Sequence, residues 1–167
     1  MRWFSRSWAE GSEEADDDVI SAYQGHLAAI WSGLPSGLRD LARPRDARMS
    51  MHDAAIQSFE IDKPEKKVRL VLRTGRLPEG YGMLDLGFGG ASFQPPLTEL
   101  PEHVLRDPLT RLGYEEIDVD LSATSAPYIL RILFFPEGEL ALRFRTIKTR
   151  FSPLASSENR PNHDRRS

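Results

Sequence analysis

His52 and Asp53 form the pairing in this chain best suited to chemistry. They lie in Met49-Ser50-Met51-His52-Asp53-Ala54. A carboxylate beside an imidazole can orient it for proton transfer, and His with Asp also serves as a metal pair. Two readings follow. In one, His52 and Asp53 are candidate catalytic residues of a hydrolase-like enzyme or a small-molecule-binding protein. In the other, His52 is a structural residue that ties a helical half to a sheet. The spacing fits no metal motif, and the extra helical His and Asp residues of a His-Asp phosphohydrolase are not present. No metal and no cofactor is therefore expected. Of the other histidines, His26 falls on the polar side of a helix, His103 in a Pro-rich excursion and His163 in the tail.

A second group is made of charges at alternate positions. In Tyr114-Glu115-Glu116-Ile117-Asp118-Val119-Asp120-Leu121, strand alternation puts Glu116, Asp118 and Asp120 on one face and Ile117, Val119 and Leu121 on the other. Arg143 and Arg145 alternate in the same way with Leu140, Leu142 and Phe144, and Arg131 lies within an apolar run. An exposed charged sheet face follows. It either pairs its charges across strands, at about 0.2–1 kcal/mol each, or presents same-sign stripes that steer a charged protein partner and fix its register. On the second reading Glu116, Asp118, Asp120, Arg143 and Arg145 are the partner-binding residues. Carboxylates two apart also suit a hard cation, but nothing else in the sequence completes such a site.

Other templates fail. There is no Gly-x-Ser-x-Gly elbow. Gly87-Phe88-Gly89-Gly90 follows a strand but opens no phosphate-binding helix. The chain has no Cys, which excludes a disulfide framework, a thiol nucleophile and thiolate zinc sites, and fits a cytoplasmic location. The net charge of −3 gives no overall attraction to nucleic acid. Its distribution is uneven. Residues 1–20 carry two basic and six acidic residues, and residues 143–167 carry seven basic and two acidic. No apolar stretch approaches the roughly 20 residues that span a bilayer, so no membrane association is expected.

These groups need positioning elements. Val19, Ile20, Tyr23, Leu27, Ile30 and Trp31 recur at helical spacing and predict a helix over 18–31, stopped by Gly33. A second short helix begins at Pro35, with Leu34, Leu38 and Leu41 as its apolar face, and ends at Pro44. Trp3, Phe4 and Trp8 are expected to pack back on the domain. From residue 54 the pattern alternates. Strands are predicted over 54–62, 67–74, 81–93, 114–121, 128–135 and 139–147, joined by turns such as Asp62-Lys63-Pro64-Glu65-Lys66 and Pro136-Glu137-Gly138. Links this short forbid parallel crossovers. The expected fold is α+β, with N-terminal helices (1–48) packed on one face of an antiparallel meander sheet of about six strands (54–151) in one domain. Residues 152–167 read as a disordered basic tail.

The opening Met1-Arg2-Trp3-Phe4-Ser5, the helix with Tyr23, Leu34-Pro35 and the junction Met51-His52-Asp53-Ala54 together resemble a family of small uncharacterised bacterial proteins. Those start with a similar Met-Arg-aromatic-Phe and carry Leu-His-Asp-Ala before a β-rich half; here Met51 stands for the Leu. The resemblance covers residues 1–145 and implies no established activity. The size, acidity and layout are also similar to those of bacterial immunity proteins, by analogy of architecture alone. The resulting expectation is a protein-binding module, an immunity or antitoxin-like inhibitor whose acidic face enters a basic cleft.

Overall fold

The computed structural model describes residues 1–11, 17–94, 104 and 107–155. The order of elements is α1 (Arg6–Ala9), α2 (Asp17–Ile30), α3 (Ser36–Ala42), then β1 (Ala55–Asp62), β2 (Lys67–Arg76), β3 (Gly80–Gly89), β4 (Ser92–Phe93), β5 (Arg111–Val119), β6 (Tyr128–Phe135), β7 (Glu139–Phe144) and β8 (Thr146–Pro153). The class is α+β with one antiparallel sheet, as expected, but the sheet has eight strands rather than six. The difference has a local cause. The predicted strand 81–93 kinks at Gly90 into β3 and β4, and the predicted strand 139–147 breaks before Thr146 and runs on as β8 to Pro153. Residues 152 and 153 therefore belong to a strand and not to a tail; residues 156–167 lie outside the described residues.

Strand order is β4-β7-β6-β5-β1-β2-β3-β8. Its two ends meet. Gly89 faces Thr146, and three residues on, Ser92 faces Arg143, so one register runs through both pairs. At the kink Gly90 adopts φ +64, and a Cβ there would lie 3.1 Å from the Cβ of Arg145. Only glycine takes that backbone readily against so close a neighbour. The β3–β4 segment and the β7–β8 segment are thus one continuous antiparallel pair, and the sheet closes into a barrel of two three-stranded meanders. The rings of Phe88 (β3) and Phe144 (β7) touch at 4.9 Å, edge to face. In a flat sheet these strands, five places apart, would be about 24 Å away from each other.

Strand alternation fills the interior. Val68, Leu70, Leu72, Leu84, Leu86, Leu112, Ile117, Leu130, Ile132, Phe134, Leu140, Leu142 and Phe144 point inward in one cluster, joined by Leu27, Leu34, Leu38 and Leu41 from the helical half. Leu121, expected on that face, lies past the end of β5 and is 89% exposed. In α2 the predicted apolar face holds for Tyr23, Leu27 and Ile30, and for Trp31 just past its end, while Ile20 is exposed. Gly25 sits mid-helix on the solvent side with nothing within 4 Å of a Cβ placed there. Ala is better than Gly by about 1 kcal/mol in a helix interior. Gly25→Ala should therefore stabilise the protein by about that amount, read as a rise in the urea midpoint at unchanged m-value.

No helix among the described residues is long and apolar enough to cross a membrane.

Candidate functional site

The closure between β1 and β5 is short, and it organises the residues singled out above. Ala55 faces Arg111, the Leu112 amide donates to Ala54 O at 3.0 Å, and the Asp53 amide donates to Leu112 O at 2.7 Å. A bulge at Gly113 then turns β5 away from β1. Backbone groups on that edge of β5 still need partners, and side chains supply them. The His52 Nδ1–H donates to the Gly113 carbonyl. The Ile117 amide donates to the Tyr23 hydroxyl at 2.8 Å, and the Val119 amide donates to Asp118 Oδ1 at 2.8 Å. Burial and the surrounding carboxylates push the Tyr23 phenol well above its ordinary range, so it stays neutral.

His52 and Asp53 are turn residues. The Ala54 amide donates back to Met51 O at 3.0 Å, and Asp53 takes φ +62, a left-handed conformation that Asp tolerates at this position of a turn. Met51 and Ala54, on either side, are buried. The His52 ring lies 5.2 Å from that of Tyr114, and its Nε2 is 3.6 Å from Asp53 Oδ2, with the two side chains 49% and 78% exposed. The imidazole thus fastens the turn to the bulge. Among the described residues no group of three or more His, Asp and Glu is placed to hold a metal ion.

Glu115 is the titratable neighbour of this seam. Burial pushes its carboxyl up to about 7, against the opposing pull of His52. A carboxyl whose folded pKa exceeds its unfolded value stabilises the fold below the unfolded pKa, and that stability is lost as pH rises through the folded one. Stability should fall between about pH 4.5 and 7 from this group. Glu115→Gln should remove that part of the fall, with little effect at pH 4 and a raised Tm at pH 8. An unchanged pH profile would show that Glu115 does not titrate there.

The expected acidic stripe is the largest correction. Glu116 is 0% exposed. The N-terminal segment crosses the outer face of β5 and points three successive amides at its carboxylate. Arg2 N donates at 2.9 and 2.8 Å to its two oxygens, and Trp3 N and Phe4 N donate to Oε1 at 2.6 and 2.8 Å. Asp118, also buried, lies 3.2 Å from Arg131, 3.2 Å from His26 Nε2 and 3.7 Å from Arg2. Asp120 pairs with Arg143 at 2.9 Å, and that arginine is only 17% exposed. Of the predicted partner-binding set, Arg145 alone is exposed, and Asp120 is in part. The alternation was read correctly, but the face it defines is covered. Phe4 is buried between Trp8, Tyr23 and Tyr114 at centroid distances of 5.0–5.4 Å. Trp3 lies 4.4 Å from the His26 ring, so His26 is held against the strap and not on an open polar side. Arg6 donates to the carbonyls of Phe134, Pro136 and Gly138, closing the β6–β7 turn. His103 and His163 lie outside the described residues.

No protein-family model matches the chain, and no curated protein matches its sequence.

The charged face left open is formed by the other meander together with β8. The outward residues of β1, β2, β3 and β8 stand in cross-strand rows: Asp62–Lys67–Gly89–Thr146, Glu60–Arg69–Gly87–Lys148, and Ser58–Val71–Asp85–Arg150. Arg69 makes a two-pronged contact with Asp85, Nε to Oδ1 at 3.0 Å and Nη2 to Oδ2 at 2.9 Å, and lies 3.8 Å from Glu60. The Arg69 guanidinium holds the Asp85 carboxyl below its usual range. A hollow of about 1020 Å³ opens here, lined by Glu60, Lys67, Arg69, Asp85, Lys148 and Arg150 among others, and by Gly87. Lys67, Arg69 and Asp85 reach this face through the local β2–β3 hairpin, but Lys148 and Arg150 join it only through the β3–β8 pairing, which sets Lys148 against Gly87 and Arg150 against Asp85.

Proposed function

We propose that this protein is a protein-binding module that works through the outward face of β1, β2, β3 and β8. The observation that carries the reading is that face itself. It is a four-stranded surface of exposed, alternating charges around a hollow, while Glu116 and Asp118 of the opposite meander are engaged with the chain's own N-terminal strap and Asp120 with Arg143. Fixed charge on a rigid sheet favours fast association and a defined register. An inhibitor whose acidic stripe enters a basic cleft loses the surface it needed, because Glu116 and Asp118 are buried. A binding role for the mixed, partly basic face replaces it. An enzyme built on His52 and Asp53 has less support, since both serve a turn and the Nδ1 of His52 is committed to a backbone carbonyl.

Affinity capture from the source lysate tests this, with wild type compared against Lys148→Glu/Arg150→Glu. A single stoichiometric, salt-sensitive partner that the double variant loses is the expected result. A partner held equally by the variant, or no partner with either protein, would overturn it.

A further inference from the structure

One strand glycine has no structural reason to be glycine. Gly75 adopts φ +90, the ring of Phe151 fills the space above Gly82, Thr146 fills that above Gly89, and Phe135 that above Gly113. Gly87 has no positive φ, and a Cβ there would meet nothing within 4 Å among the described residues. Glycine in a strand interior weakens the strand, and where no bulge or bend requires it, it marks the close approach of a ligand or another chain.

The charges around Gly87 are lopsided. Across β1, β2 and β3 each charge has a local partner: the carboxylates of Asp85 and Glu60 are drawn to Arg69, Lys67 lies 3.3 Å from Glu65, and Asp62 accepts from the Glu65 amide at 3.1 Å. On the β8 side, Lys148 stands directly across from Gly87 with no carboxylate within ion-pair distance among the described residues. Arg150 follows two residues on, on the same face, feeling Asp85 only through space. Two cations two residues apart along a strand repeat at about 7 Å, the spacing of carboxylates at alternate positions of an extended segment.

We propose that the hollow over Gly87 seats an acidic side chain carried on an extended segment of the protein partner, with Lys148 and Arg150 as its counter-charges. This rests on the binding-module reading and names the chemistry of its partner. The missing side chain makes room for the incoming carboxylate, and its neighbour at the alternate position meets the second cation.

The test is an amide NMR titration at low salt. The probe is a synthetic octapeptide with Glu at alternate positions, and its counterpart has Gln at the same positions. The Glu peptide should give saturable shifts centred on Gly87, Lys148 and Arg150, and the Gln peptide none. Gly87→Val should weaken the interaction about tenfold while its Tm stays the same or rises, because a β-branched residue suits a strand, so misfolding does not explain the loss. Lys148→Glu/Arg150→Glu should abolish it. Absence of shifts, or shifts indifferent to Gly87→Val, would overturn the proposal. So would inorganic phosphate reproducing the same shifts at the same concentration, since the hollow would then be a small-anion site. If the partner captured from lysate is retained by Gly87→Val while the peptide fails, the seat is wrong and the module reading stands; if no partner is captured, the module reading itself falls.

Discussion

Replacing Glu116 by Ala is expected to cost about 3–5 kcal/mol of stability, a large fraction of what a domain this size possesses. The carboxylate is fully buried and accepts from the amides of Arg2, Trp3 and Phe4. Removing it leaves three donors without an acceptor, each costing about 1–3 kcal/mol if it stays buried. It also leaves Arg131 with only one of its two carboxylates, since its Nη1 lies 3.8 Å from Glu116 Oε2 and 3.2 Å from Asp118 Oδ2. The strap would be expected to lift and expose Phe4, so part of the cost would appear as local opening. Glu116→Gln keeps the shape and one acceptor oxygen but turns an NH2 group toward an amide donor, and should cost less than Ala. Urea unfolding followed by tryptophan fluorescence reads both, since Trp3 and Trp8 lie in the strap. A loss below about 1 kcal/mol for the Ala variant would mean that the strap is held elsewhere.

The second large effect tests closure of the barrel. Phe144 is completely buried, touches Phe88 at 4.9 Å and lies 5.9 Å from Tyr128. Phe144→Ala should cost about 3–5 kcal/mol through lost transfer energy and the cavity left behind. That alone does not distinguish a closed sheet from an open one, but its coupling to Phe88 does. In a double-mutant cycle the pair should show about 0.5–1.5 kcal/mol of interaction, as aromatic pairs in contact do. Strands five places apart in an open sheet would show none.

Much of the fold was legible in the sequence. Six alternating segments, the helix over 18–31 and the polypeptide's antiparallel character follow from period and loop length, which are local. Closure was not legible, because it depends on a register between residues such as Gly89 and Thr146 that no local pattern encodes. The strap was half legible. The aromatic residues Trp3, Phe4 and Trp8 signal a segment that packs back, but the groups that bind Glu116 are backbone amides, and these leave no trace in residue type. Alternation therefore assigned Glu116 and Asp118 to the outer face correctly and could not reveal that the face is covered. His52-Asp53 looks the same in sequence whether it works on a substrate or holds a turn; the positive φ of Asp53 and the Gly113 carbonyl decide its structural use. The cations Lys148 and Arg150 join the charged face of the β1–β3 meander only by the β3–β8 pairing, which no local pattern encodes.

Native-state amide hydrogen exchange at Arg2, Trp3 and Phe4 tests most directly whether the acidic meander is sealed and the other face left to bind. Strong protection of all three, lost in Glu116→Gln before the barrel amides respond, is the predicted result. Exchange near the rate of an unstructured chain in the wild type would contradict it, and would return Glu116, Asp118 and Asp120 to the surface as the charged face available to a partner.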